Sequence, residues 1–329
     1  AAGEPGGQGH RELRSMTADR TTAGRSRITG RRRKKRYQEY RNLTTRRQLL
    51  LQALCVFVAL TVLFPIIWVV SLSLDPRGLA SADGLNLFPP GANFDNYFEV
   101  IERPTSNPVT FWQLAFNSLL LAVGAMVFSV ALGVSAAYAF SRLSFRGRNV
   151  LMLGILAVLM LPAVAAIAPL FLSLNAVRVG DFNLRQSLVG VGLAVTSGLL
   201  PFAIWNLKGY LDTIPKELEE AASVDGATRN QAFRHVILPL AIPALAVTGF
   251  LGFVTGWTEF YFSSTFLGEK PGDWTLAVAL NSMVGQFATT TPWAKFSAFA
   301  VLFALPVSLV YLALQKYIVS GLAIGGVKG

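Results

Sequence analysis

One cysteine and two histidines in 329 residues leave little from which a catalytic centre could be built. Cys55 stands alone, so neither a disulfide framework nor a cysteine-based metal site can form within one chain. His10 and His235 lie far apart, and no HExxH pair or GxSxG elbow is present, which leaves hydrolytic chemistry without an address. A P-loop, GxxxxGKS or GxxxxGKT, is missing too, so this chain does not bind ATP in that way. Charge is also scarce. Only 14% of residues are Asp, Glu, Lys or Arg, against 53% hydrophobic and a mean hydropathy of +0.48. An ordinary soluble domain carries about 25% charged residues, so that class is excluded.

What is present instead is a series of long apolar runs. Leu49 to Leu74, Gln113 to Ser141, Asn149 to Val177, Gln186 to Leu207, Val236 to Thr258 and Phe296 to Gln315 contain no formal charge. Each reaches the roughly 20 residues that an α-helix needs to cross a bilayer. Barrel strands would alternate over about ten residues, and these runs are continuous. The sequence therefore predicts an all-α polytopic membrane protein with six transmembrane helices.

The net charge of +11 is concentrated in residues 1–48, whose 14 Lys/Arg and four acids account for +10 of it. This arm is rich in Gly, Ser, Thr and Arg and includes the run Arg31 to Arg36; lacking apolar periodicity, it is expected to be a disordered basic cytoplasmic arm. Nucleic acid is one conceivable partner for such a run. A basic segment directly before a span more commonly holds the cytoplasmic side and touches anionic membrane lipid, so lipid is the partner expected and no nucleic acid. With the arm inside, Arg142 to Arg148 and Lys208 to His235 also fall inside, with three and four Lys/Arg, against two in each outer connection. Both termini are then cytoplasmic. The membrane-spanning domain is expected over residues 49–329.

Prolines and glycines recur within the spans. Ordinary helix packing accounts for most of them, and the sharper alternative is that Pro162 and Pro169 mark a bent span lining a pathway. Ion-coupled carriers need ionisable groups at membrane depth. Here only Glu259 comes near, at the outer end of the fifth span. It is either an interfacial carboxylate or, with Trp257 and Tyr261, part of a substrate pathway that grips a polyhydroxylated ligand by stacking and hydrogen bonding.

The stretch ELEEAASVDG, Glu217 to Gly226, breaks the apolar pattern. Pro215 suits the first turn of a helix, and Glu217, Glu219 and Glu220 sit where the helix dipole favours anions. Leu218, Ala221 and Ala222 are spaced to share one face, and Gly226 can end the helix in a left-handed conformation. A new helix should begin near Thr228. An amphipathic linker resting on headgroups would instead favour Lys, Arg and bulky apolar residues. A small apolar face flanked by acids suits a groove on another protein.

Glu220 to Ala222, Gly226, Val236, Leu238 and Pro239 resemble the EAA loop of ABC importer membrane subunits, EAA-x3-G-x9-I-x-LP, with Val236 at the isoleucine position. The resemblance runs from the first span to the last residue. LEEAASVDGAT, QAFRHVILPL, WTLAV and GLAIGGVKG are most similar to MalG-like permeases of maltose and maltodextrin importers. It implies an ABC type I importer (MetI-like) fold. Its partners would be a second, MalF-like permease, two copies of a cytoplasmic ABC ATPase, and an extracellular or periplasmic sugar-binding protein. The membrane would be the cytoplasmic membrane of a bacterium or archaeon.

The same resemblance assigns roles to residues. A coupling helix, Pro215 to Val224, would dock in an ATPase through Glu217, Leu218, Glu220, Ala221, Ala222 and Gly226. Gly325, Gly326 and Lys328 would form a tail between the ATPases. The connection Ser263 to Ala294, with Gly268, Pro271 and Gly272, would be a scoop-like loop for the binding protein, or else a plain surface connection. No cofactor is bound by this chain; ATP and Mg are expected on the partner ATPase subunits. A secondary solute carrier, or a permease of the same type for a non-sugar solute, is the alternative.

Overall fold

The computed structural model describes residues 45–78, 87–268, 270–285 and 291–325. Most of the basic arm, with Gly326 and Lys328 of the terminal tail, lies outside the described residues. Two compact units divide within the first helix, at Ile66.

Among the described residues, four unbroken helices are long and apolar enough to cross a membrane: α1 (Thr45–Ser73), α3 (Phe111–Arg142), α6 (Leu188–Leu211) and α13 (Trp293–Gly325). Between α1 and α3 lies the short amphipathic α2 (Asp95–Glu102). Sequence sets the starts of α3 and α6. Thr110 caps α3 by accepting from Gln113 N at 3.3 Å, and Ser187 caps α6 by accepting from Gly190 N at 3.2 Å. The 32 residues of α3 extend about 48 Å at 1.5 Å each, beyond the hydrocarbon layer.

The other two expected spans are broken, and each break has a proline cause. In place of one rod from Asn149 to Val177, α4 (Arg148–Leu159) and α5 (Ile167–Asn175) meet at 100°. Pro162 adopts an extended conformation, φ −65° and ψ 131°, and a 3-10 turn follows it. Of the two readings for Pro162, the bend is present. The fifth span is similar. It is preceded by α8 (Arg229–Ala232), a π turn over Phe233–Ile237 and α9 (Leu238–Leu240), which bend by 76° into α10 (Ile242–Trp257). Pro243 has no N–H for the carbonyl four residues back, which belongs to Pro239, so the ladder cannot run straight through Ala241. The all-α expectation holds apart from one small hairpin, β1 (Arg178–Val179) with β2 (Phe182–Asn183), antiparallel and paired Arg178 to Asn183.

Small residues bring α3, α6 and α10 together. A Cβ on Gly256 would lie 2.7 Å from Ala122 Cα, one on Gly252 3.1 Å from Met126 Cα, and one on Gly133 3.0 Å from Ala203 Cβ. Without strong hydrophobic attraction between helices in lipid, such close backbone approach supplies the dispersion contact that holds a bundle. Asn206 Nδ2 adds a hydrogen bond to Thr248 Oγ1 at 3.0 Å, joining α6 to α10. Residues beyond α10 form α11 (Tyr261–Leu267), a 3-10 turn (Pro271–Asp273) and α12 (Leu276–Ser282) before α13 begins.

Candidate functional site

The acidic stretch folds as α7 (Glu217–Val224), two turns beside the ends of α3 and α6. Its first turn holds Glu217, Glu219 and Glu220, where unpaired backbone N–H groups favour negative charge. Pro215 precedes it by two residues; the carbonyl of Lys216 accepts from Glu219 N and Glu220 N, so the helix begins slightly later than Pro215. Gly226 has φ +86° and ends the helix as expected. Its N–H donates to Ser223 O at 3.1 Å, while Ala227 N donates to Ala222 O at 2.9 Å, satisfying carbonyls that the helix leaves open.

The two faces of α7 do different things. Glu217, Leu218, Glu220, Ala221 and Val224 are exposed, Val224 at 88%. Glu217 and Glu220 make no ion pair among the described residues. Ala222, expected to share the outer face with Leu218 and Ala221, is half-buried. It lies three residues after Glu219, and Glu219 sets which side of the helix turns inward.

Glu219 was not among the residues expected at the site, yet it anchors α7. Its Oε1 accepts from Arg142 Nε, and its Oε2 accepts from the Tyr138 hydroxyl at 2.9 Å. The side chains of Arg142 and Glu219 are only 7% and 15% exposed. Arg142 also donates from Nη2 to Ile214 O at 2.8 Å and from Nη1 to Ser141 Oγ at 3.2 Å. Ser141 Oγ in turn donates to Asp212 Oδ1, and Lys208 Nζ donates to Asp212 Oδ2, both at 2.6 Å. Burial pushes the Asp212 carboxyl up, but hydrogen bonds from Lys208 and Ser141 outweigh it and hold the group below its ordinary value.

Under this polar layer is an apolar one. Val134, Ala137, Leu207, Leu211, Ile214, Ile237 and Ala241 are buried together, and the Tyr138 and Phe233 rings lie 4.6 Å apart. A pocket of about 390 Å³ opens between Tyr138, Arg142, Lys216, Glu220 and Arg229. The expected helix start at Thr228 is a capping box: Thr228 N donates to Gln231 Oε1 at 2.8 Å, and Gln231 N donates to Thr228 Oγ1 at 3.4 Å. A two-turn helix has no independent stability in water, so this seat is what keeps α7 formed.

At the opposite end of α10, Trp257, Glu259 and Tyr261 do not share a face. Trp257 is 2% exposed, and its Nε1 donates to Phe303 O at 3.0 Å. Buried Glu259 caps α11, its Oε1 accepting from Phe262 N at 2.7 Å and its Oε2 from Ser263 N at 2.8 Å and Ser263 Oγ at 2.5 Å. Tyr261 alone of the three is exposed. Gly268 closes α11, and Pro271 opens the 3-10 turn. Gly272 O accepts from Gln113 Nε2 and Asn117 Nδ2, each at 2.9 Å, and Leu276 N donates to Ser118 Oγ at 2.7 Å. This part of the connection between α10 and α13 is tied to the start of α3 rather than loose. Glu269 and residues 286–290 lie outside the described residues.

Residues 129–324 match the family described as binding-protein-dependent transport system inner membrane component. The chain belongs to that family. It is an ABC importer permease, not an enzyme, and ATP hydrolysis falls to separate ATPase subunits of the system. The maltose/maltodextrin transport system permease protein MalG of Photorhabdus laumondii is 36% identical over 83% of this chain and 93% of its own length. MalG of Escherichia coli K12 is 35% identical over 84% and 94%, and the diacetylchitobiose uptake permease DasC of Streptomyces coelicolor 33% over 84% and 95%. Among solved structures, a bacterial ABC transporter importing the acidic polysaccharide alginate aligns with TM-score 0.66 and 25% identity, covering 84% of this chain and 99% of the other. The permease fold expected for the six spans is therefore present.

Proposed function

We propose that this permease imports an oligosaccharide, and that α7 converts closure of an ABC ATPase into rearrangement of the spans. The observation carrying this reading is the exposed face of α7: Glu217 and Glu220, carboxylates with no ion pair among the described residues, beside Leu218 and Ala221, on a helix whose other side is fixed to the bundle. Acids at a helix tip suit a cleft containing a basic group, and the small Ala221 allows close approach. Ala222 and Gly226 serve this contact from within, one by packing and the other by ending the helix. Basic residues Arg142, Arg146, Arg148, Lys208 and Lys216 lie in the segments around the α7 end, which favours placing that end in the cytoplasm, with both termini.

The working complex in this reading contains a second, MalF-like permease, two ATPase copies holding ATP and Mg, and an external binding protein. Gly325, Gly326 and Lys328 would reach between the ATPases. ATP and the loaded binding protein each favour the outward-open arrangement, and hydrolysis releases it; both must bind the two arrangements unequally for transport to follow. A saccharide substrate is supported by relatives named for maltodextrin and diacetylchitobiose. On the outer side, Tyr261 offers an exposed ring for stacking, and Gly268, Pro271 and Gly272 place a shaped connection where a binding protein would dock.

The test is reconstitution of the complete importer in lipid vesicles, with ATP hydrolysis measured as the binding protein is loaded with maltose, trehalose, diacetylchitobiose or longer oligosaccharides. Stimulation by at least one saccharide is expected. Stimulation only by a non-saccharide solute, or crosslinks placing α7 on the external side, would refute the reading.

A further inference from the structure

A helix that receives a push on one face moves its surroundings only if the other face is fixed to them. Backbone packing places α7 against α8 and the π turn, both of which lead into α10. To α3 it is joined through Glu219, whose two carboxylate oxygens are held by Arg142 and Tyr138, residues one turn apart at the end of that span. Arg142 lies where α3 ends and also grips Ile214 O, in the segment that joins α6 to α7. Through Ser141 and Asp212 the same network reaches Lys208 on α6.

We propose that the Arg142–Glu219 ion pair, steadied by Tyr138, is the joint that transmits displacement of α7 to α3, distinct from the outward residues that dock the ATPase. This rests on the function proposed above. An ion pair suits the task physically. Both charges are largely buried, so separating them exposes neither to bulk water, and the pair resists being pulled apart more stiffly than apolar contact resists sliding. The two hydrogen bonds to one carboxylate also fix its orientation, so that rotation as well as translation of α7 is passed on. Glu219 and Arg142 are thus positioning residues. The outer face would recognise the ATPase, and this inner face would decide whether recognition does work.

The experiment uses the whole importer in vesicles, with three readouts: ATPase retained on the permease pair, ATP hydrolysed on adding loaded binding protein, and ATP consumed per solute imported. In Glu219→Gln the ATPase should remain bound while ATP consumed per solute rises at least tenfold, because nucleotide closure no longer moves α3. Tyr138→Phe removes one hydroxyl and leaves the ion pair, and should raise the ratio several-fold with assembly unchanged. It decides the matter if Glu219→Gln fails to assemble. The joint is overturned if Tyr138→Phe and an assembled Glu219→Gln keep the wild-type ratio, or if either variant loses only the ATPase. Failure of the unsubstituted importer to couple hydrolysis to solute would instead sink the proposed function, so the two failures are distinguishable.

Discussion

Replacing Gly256 with alanine should loosen the bundle where α3 and α10 approach most closely. The added Cβ would stand 2.7 Å from Ala122 Cα, 3.0 Å from Leu121 O and 3.1 Å from Ala125 Cβ. Carbon atoms rest about 3.5–4.0 Å apart, so the two helices would have to separate by about 1 Å. The nearest atoms are backbone, and no side chain can rotate to make room. Overpacking of this kind costs roughly 1–3 kcal/mol, and a 2 kcal/mol loss changes an equilibrium about thirtyfold. The control is Gly124→Ala on α3 itself, where an added Cβ meets nothing within 4 Å. The assay is the fraction of detergent-solubilised complex that remains monodisperse after heating to a series of temperatures. Gly256→Ala should lose its midpoint by several degrees, on the order of 2–4 °C per kcal/mol, while Gly124→Ala stays at or slightly above the unsubstituted protein. Equal midpoints for the two variants would refute the close-packing argument.

Gly226→Val should unwind the end of α7, since a side chain at φ +86° costs roughly 1–2 kcal/mol and a β-branched one fits worst. Saccharide uptake should fall at least tenfold with the permease still in the membrane, and Gly226→Asn should fall less because asparagine tolerates that conformation; normal uptake by the valine variant would count heavily against a docking role. Glu259→Gln removes the charge from the cap of α11 and weakens three hydrogen bonds, for a loss of about 1–2 kcal/mol in thermal stability with KM for solute unchanged. A changed KM at an unchanged melting temperature would instead place Glu259 on the solute pathway.

The spans were legible because the bilayer imposes a simple rule: each crossing excludes charge over about 20 residues, and this chain obeys it six times. The turn at Gly226 and the start at Thr228 were legible for a similar reason, since each depends on one residue type and its nearest neighbours. The two broken spans were only half legible. Pro162, Pro239 and Pro243 are visible as residues, but a proline inside a membrane helix can be absorbed by its neighbours, and whether it produces a bend of 100° depends on packing. Gly252 and Gly256 give α10 a small-residue surface that the sequence analysis did not single out. Its matching surface of Ala122, Ala125 and Ser129 sits more than a hundred residues earlier, and nothing local in sequence links them. Arg142 and Glu219 are likewise 77 residues apart, joined only once the ends of α3 and α6 are side by side.

In the proposed coupling, Glu219 and Glu220 have different tasks. Successive residues on a helix point about 100° apart, so two neighbouring glutamates cannot both face a docking cleft squarely. Here Glu220 is exposed and Glu219 is bound to Arg142, which lets one short helix present a charge outward and spend another inward. If Arg142 transmits displacement as proposed, the close seam between Gly256 and Ala122 would couple α3 to α10 and share it between the second and fifth spans. The break at Pro162 interrupts the third span in the same bundle. The span's two halves pack on different elements, α4 on α6 and α5 on α11, so in the proposed coupling a tilt of the α3–α10 pair would load them unequally, an asymmetry suited to alternating access.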